Sequence, residues 1–179
     1  MINNILVTYA RQMEQYLSSF FHQPEGLVEV GMIGAQSDEE PCKLQVSLLS
    51  VEREVASGIS TRTSSSGSFV NVSFPPIYAN LNVVIAAVFS ERKYKESLSF
   101  LSLAIAFLQS TPVFTTADGN RYTIEMMTPS LQDISNIWTL FGGRHYPSVV
   151  CKIRRLTFDA GEMKQTITRI TGQETDISS

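Results

Sequence analysis

Apolar residues Ile2, Ile5, Leu6, Tyr9, Met13, Tyr16, Leu17 and Phe20 recur at steps of three and four, with Gln12, Glu14, Gln15 and Ser18 between them. That spacing predicts an amphipathic helix, closed by Pro24 and Gly26, whose stripe needs a sheet or another helix to lie on. The period then shortens to two. Leu27 to Ile33 reads as a short strand, and an acidic turn, Ser37-Asp38-Glu39-Glu40-Pro41, leads into a second strand from Cys42 to Val51. Leu44, Val46 and Leu48 fall on one face of that strand and Lys43, Gln45 and Ser47 on the other.

Ser57 to Ser68 holds no apolar residue except Ile59, and reads as a surface loop or hairpin tip that a neighbouring subunit could order. Ile77 to Phe89 is the longest strand in the pattern. Its second half, Val83 to Phe89, is apolar at every position, which predicts a central strand covered on both faces. Glu91 to Gln109 follows as a helix apolar almost all round, with one face expected on the sheet and the other on a neighbouring subunit.

Pro112 to Thr115 leads through the turn Asp118-Gly119-Asn120 into a strand from Tyr122 to Met126. Ser130-Leu131-Gln132-Asp133 resembles a capping box opening a short helix to Phe141, and Gly142-Gly143 should end it. Val149 to Phe158 is a last long strand. The tail is polar, with a Thr/Ile alternation from Thr166 to Ile170. The order predicts an α+β single domain over residues 1–160, a mixed β-sheet with helices packed on it. Residues 161–179 would be a polar tail suited to act as an inter-subunit arm.

Composition changes this picture little. Only 17% of residues are charged against 43% hydrophobic, and the charged share lies below the roughly 25% usual in soluble domains. Such a surface is either rich in Ser, Thr, Asn and Gln or partly covered by partners. A net charge of −3 gives no pull toward nucleic acid or anionic lipid, so neither is an expected partner. The one basic cluster, Lys152, Arg154 and Arg155, fits a polar strand face or an acidic partner surface.

Cys42 and Cys151 are too few for a disulfide framework or zinc site, and each sits in an apolar run where a thiol acts as a small hydrophobe. The N-terminus lacks signal-peptide features, and Leu98 to Leu108 is well short of the roughly 20 apolar residues a membrane helix needs. The expectation is a soluble chain outside the general secretory route, without membrane insertion.

A search for chemistry yields no catalytic, cofactor-binding or metal residues. His22 and His145 have no Cys or Asp at triad spacing, and structural roles suit both. Asp38-Glu39-Glu40 reads as a solvated turn, while Glu52 and Glu54 flank Arg53 at a strand end. Gly142-Gly143-Arg144 follows a helix, whereas phosphate loops precede one, so it reads as a helix end. Trp138, beside Ile137 and Leu140, reads as core. The residues predict no enzyme and no cofactor.

Three stretches carry a resemblance. They are Val46 to Glu54; Pro75-Pro76-Ile77-Tyr78-Ala79-Asn80-Leu81 with the helix Tyr94 to Gln109 and Pro112-Val113-Phe114; and Leu131 to Asp159. The last contains Asn136-Ile137-Trp138, Leu140-Phe141-Gly142-Gly143 and Tyr146-Pro147-Ser148-Val149. With the opening helix they resemble the N-terminal domain of cap proteins of extracellular contractile injection systems, the antifeeding-prophage and virulence-cassette type. The resemblance spans residues 1–160 in order and implies a phage tail-terminator-like fold.

It also implies a structural function: a homo-hexameric ring on inner tube protein and sheath protein that ends their polymerisation. Such a ring would assemble in the cytoplasm and then become part of the particle. A soluble assembly adaptor that leaves the mature particle is the alternative. Some relatives continue into a second C-terminal region, so functions of such an extension are not expected here. Leu101, Ile105, Arg144, Tyr146, Arg154 and Arg155 are the candidates for an assembly interface, since a closing ring needs complementary surfaces on each subunit.

Overall fold

The computed structural model describes residues 1–21, 26–34, 41–54, 62–66, 69–73 and 76–158. His22, the acidic turn at 37–40 and the tail at 161–179 lie outside the described residues. By contact density the chain divides into two compact units, Met1–Glu52 with Asn80–Arg155, and Arg53–Ala79 with Leu156–Ser179.

The first unit is built around one strand. β5 (Ile77–Val88) has Leu81 buried and every residue from Val83 to Val88 buried. A strand buried on both faces must sit centrally with a layer on each side, and β5 does. The sheet runs β1 (Val28–Val30), β2 (Lys43–Arg53), β5, β8 (Ser148–Phe158), β7 (Arg121–Met126), β6 (Val113–Thr115). β1 pairs with β2 in parallel, while β6 with β7 and β7 with β8 are antiparallel. The sheet is mixed and the class is α+β, as the element order predicts. The first strand is shorter than the pattern 27–33 suggests, three residues only.

The layer on one face consists of α1 (Ile2–Phe21) and α2 (Tyr94–Ser110), α2 being entered through a short 3-10 turn at Glu91–Lys93. α1 buries Ile5, Leu6, Tyr9, Ala10, Met13 and Leu17, each Leu or Ile worth about 1.5–3 kcal/mol relative to exposure. The Tyr9 ring meets Phe107 of α2 at 5.3 Å and Phe114 of β6 at 4.8 Å between centroids. Phe21 stacks on Phe100 at 4.1 Å.

Glu14, on the polar side of the stripe, has a task that periodicity does not reveal. Its Oε1 accepts from the backbone N–H groups of Gly26 and Leu27 at 2.7 and 3.1 Å. It thereby anchors the turn into β1, where Gly26 adopts φ +83°.

The opposite face carries α3 (Leu131–Leu140). Trp138 and Tyr146 pack with Ile33, Val84, Ala86 and Val88, flanked by Leu49, Ile134 and Phe141. The helix is set at both ends as its sequence predicts. Ser130 accepts from the Asp133 N–H, and the Asp133 carboxylate accepts from the Ser130 N–H, completing the capping box. At the other end Gly143 N–H reaches Trp138 C=O and Gly142 N–H reaches Thr139 C=O, with both glycines at positive φ. That is the Schellman arrangement. Gly34 lies so close to this end that a Cβ would stand 2.6 Å from the Phe141 carbonyl oxygen.

In the second unit, β3 (Arg62–Ser66) and β4 (Phe69–Ser73) form an antiparallel hairpin with Arg62 opposite Ser73 and Ser66 opposite Phe69. The serine-rich run therefore holds a strand, consistent with the hairpin reading. Its mate β4 is too short, beside that run, for period-two alternation to single it out. At the root of this excursion the Glu54 N–H donates to the Tyr78 carbonyl.

Tyr9 is the weak point of the main core. Its hydroxyl is buried with no hydrogen-bond partner among the described residues, and burial, with a smaller effect of the neighbouring Cys151, pushes the phenol's pKa upward. An unsatisfied buried hydroxyl costs about 1–3 kcal/mol. Tyr9→Phe keeps the ring contacts and removes that cost. It should raise unfolding free energy by about 1 kcal/mol in urea titrations; a loss of stability would mean that the hydroxyl has a partner.

Candidate assembly surfaces

Three surfaces hold the residues singled out from the sequence, and each proves more structured than the sequence pattern suggests. α2 is not apolar all round. It buries Ser97, Phe100, Ala104, Phe107 and Leu108, while Lys95, Ser99, Ser102 and Gln109 are exposed along its outward centre. Serine misleads here because its hydroxyl turns back on the helix: Ser102 Oγ donates to the Leu98 carbonyl at 2.7 Å. The apolar remainder is one flank, Tyr94, Leu98, Leu101 and Ile105, at steps of four, three and four. Leu101 is half-buried and Ile105 is 38% exposed.

The second surface is the part of the sheet face that carries Ser50, Glu52, Asn82, Lys152, Arg154 and Glu125. Cys151 and Ile153 are buried, and Lys152 and Arg154 stand on the opposite face, as strand alternation requires. The partners of these basic residues come from the chain itself. Lys152 Nζ lies 2.7 Å from Glu52 Oε2, and Arg154 Nε donates to Glu125 Oε1 at 2.9 Å. In register Glu125 faces Lys152, yet it reaches diagonally to Arg154. Each pair is at least partly solvated and adds little stability; together they neutralise two of the three basic residues that the sequence offered to an acidic partner. The alternation slips one residue further on, where Arg155 is exposed with φ +76° and Leu156 is buried.

The third surface is the end of α3. Arg144 and His145 are exposed, but Tyr146 is only 7% exposed. The Tyr146 ring meets Trp138 at 5.7 Å, the His145 ring lies edge-on to Trp138 at 5.3 Å, and the Arg144 guanidinium sits 5.6 Å from the Tyr146 centroid. Tyr146 belongs to the core, so of this pair only Arg144 has an exposed side chain. His145 shields an indole edge.

Titratable groups with shifted pKa values have structural causes. Burial pushes the Cys151 thiol up to about 12, which makes it an unreactive core residue. Cys42, by contrast, is only half-buried, at the start of β2 with φ +51°. The Lys152 hydrogen bond and charge lower Glu52, Thr116 lowers Asp118 within the β6–β7 turn, and Ser130 lowers Asp133 in the capping box. Among the described residues no cluster of His, Cys, Asp and Glu could hold a metal, and no helix is long and apolar enough to cross a membrane.

The family model described as the Pvc16 N-terminal domain matches residues 6–171. The chain belongs to that family. The match continues beyond residue 160, so part of the tail falls within the Pvc16 N-terminal domain. No curated protein matches significantly.

Among solved structures, the sheath/tube terminator of an extracellular contractile injection system, PVC, in its extended state, overlays with a TM-score of 0.55 at 9% identity. That overlay covers 98% of this chain and 73% of the terminator. The anti-feeding prophage cap, a tube-terminating cap, overlays with a TM-score of 0.47 at 16% identity, over 86% of this chain and 54% of the cap. At such identities the likeness to the PVC terminator is one of fold, and it extends over nearly the whole of this Pvc16-family chain.

Two checks follow. Ala104→Asp places an unpaired charge in the core at a cost on the order of 3–5 kcal/mol and should abolish folding. Ile105→Asp, one residue on, should change stability by less than about 1 kcal/mol. Circular dichroism melts decide it, and equal damage from both would mean that the flank is internal.

The carboxylate shifts give a signed pH dependence. Folded pKa values below the unfolded ones stabilise above the ordinary carboxylate range and lose that contribution as pH falls through the depressed values. Urea midpoints should therefore fall on acidification from pH 6 toward pH 3. Asp133→Asn should flatten that slope; an unchanged slope would remove Asp133 from the set.

Proposed function

We propose that this chain is a structural cap, a terminator that ends tube and sheath polymerisation in a phage-tail-like contractile injection particle, and that it has no catalytic task. The observation that carries this reading is the fold shared with a sheath/tube terminator over 98% of the chain, together with membership of the Pvc16 N-terminal domain family. The surfaces are compatible with it. Internally neutralised charge and a flank of exposed apolar side chains suit a subunit whose partners are proteins packed alongside it.

The finer reading is a ring of six copies that contacts inner tube protein and sheath protein, assembled in the cytoplasm and retained in the particle. Leu101, Ile105, Arg144 and Arg155 are its proposed contact residues, with Arg154 contributing through its pair with Glu125. Tyr146 would act by holding the loop that presents Arg144.

Terminators act on length. Particles produced without this chain should show tubes of broad, uncontrolled length by negative-stain imaging, where particles with it show one narrow distribution. Unchanged lengths in its absence would overturn the cap. Ring density at one end of particles carrying the chain supports retention, and purified particles free of the chain would favour the soluble adaptor.

A further inference from the structure

We infer that Arg155 binds acidic side chains of a second copy of this chain, its Glu39 and Glu40, in a head-to-tail contact; this rests on the ring reading above.

Arg155 occupies a backbone position that its residue type disfavours. Its φ is +76° within β8, a conformation that penalises any side chain and that glycine adopts freely. The strand is irregular there. Ile153 and Leu156 are both buried with two residues between them, Arg154 and Arg155, where alternation allows one. An extra residue of this kind turns a side chain off the regular ladder, and Arg155 is exposed. Lys152 and Arg154 each have an acid on their own sheet face, whereas Arg155 forms no ion pair among the described residues. Backbone strain held at an exposed, unpaired guanidinium points to a contact outside the fold.

The matching acids are in the same sequence. The whole chain carries 17 acids against 14 bases, yet among the described residues bases outnumber acids. Part of the acidic surplus is the run Asp38-Glu39-Glu40 between β1 and β2.

The sheet keeps Glu39 and Glu40 away from the Arg155 of their own chain. Ser50 of β2 bonds to Asn82, with Leu49 packed toward the Val84–Val88 end of β5. The Ala87 N–H donates to the Pro147 carbonyl, and Lys152 reaches across to Glu52. β2 and β8 therefore both start at the Val88 end of β5 and run the same way. From Lys43, which opens β2, to the level of Arg155 is about 30 Å at the rise of a strand. Glu39 and Glu40 lie within four residues of Lys43, a span of at most about 14 Å. One copy cannot close this pair on itself. A second copy, placed with the start of its β2 against the Arg155 end of the first, can. Such a contact joins two different surfaces, the type that closes a ring when the rotation permits. Arginine suits it, since its planar guanidinium gives a carboxylate two parallel hydrogen bonds.

The test is native mass by light scattering over a concentration series at low and high salt, with circular dichroism to verify the fold. The wild-type chain should self-associate, and less so at high salt. Arg155→Gly relieves the backbone, so it should raise the urea midpoint while weakening association roughly tenfold or more. Arg155→Glu, and separately Glu39→Lys with Glu40→Lys, should each weaken association by as much. A chain carrying all three substitutions should associate as the wild type does, and the two charge-reversed chains should associate with each other on mixing. A wild-type chain that stays monomeric at every concentration, unaltered association in Arg155→Gly, or no recovery in the triple variant would overturn the inference. So would a lower urea midpoint for Arg155→Gly, which would give the guanidinium a partner inside its own chain. These measurements use isolated chain, whereas the cap reading is decided by tube lengths, so either can fail alone.

Discussion

Everything in the main unit follows from a strand that cannot meet water on either face. Val83 to Val88 is apolar at six consecutive positions and fully buried, so the sheet must be covered above and below at that place. α1 and α2 cover one side through the Tyr9, Phe107 and Phe114 rings; α3 covers the other through Trp138. α3 is only ten residues long, about 15 Å at the helical rise. It shields the apolar end of β5, and among the described residues no helix covers the Asn82 end. There the sheet face turns polar, and Ser50, Glu52, Lys152, Arg154 and Glu125 stand in paired contact.

That division brings two of the three basic residues of the cluster, Lys152 and Arg154, against acids of the same sheet face. Glu52 and Lys152 are one hundred residues apart in sequence and meet only because their strands enclose β5. The result is a hydrogen-bonded face on which Lys152 and Arg154 each have an acidic partner. Exposed apolar residues are distributed elsewhere, on the α2 flank and at the termini of α3, where Leu131 and Leu140 are almost fully exposed.

The sequence was most readable where backbone rules act locally. The amphipathic opening helix, the doubly buried strand, the Ser130 capping box and the Gly142-Gly143 helix end each depend on residues within one turn or one strand, and each is found in place. It was less readable where side chains choose between alternatives. The serines of α2 bond to their own helix, so a nearly apolar sequence conceals a polar outer face. Tyr146 lies beside exposed Arg144 and His145 but turns inward against Trp138. Glu14 and the Glu52–Lys152 pair are tertiary events, set by chain paths that no period records. β4 was missed because five residues beside a serine run give alternation too little length to register.

Assembly then becomes a question of which surfaces are spare. Tyr146 is committed to Trp138, and Lys152 and Arg154 pair with Glu52 and Glu125 inside the chain, so any contact made there must keep those pairs. The α2 flank is spare, but an exposed apolar stripe specifies neither partner nor register by itself.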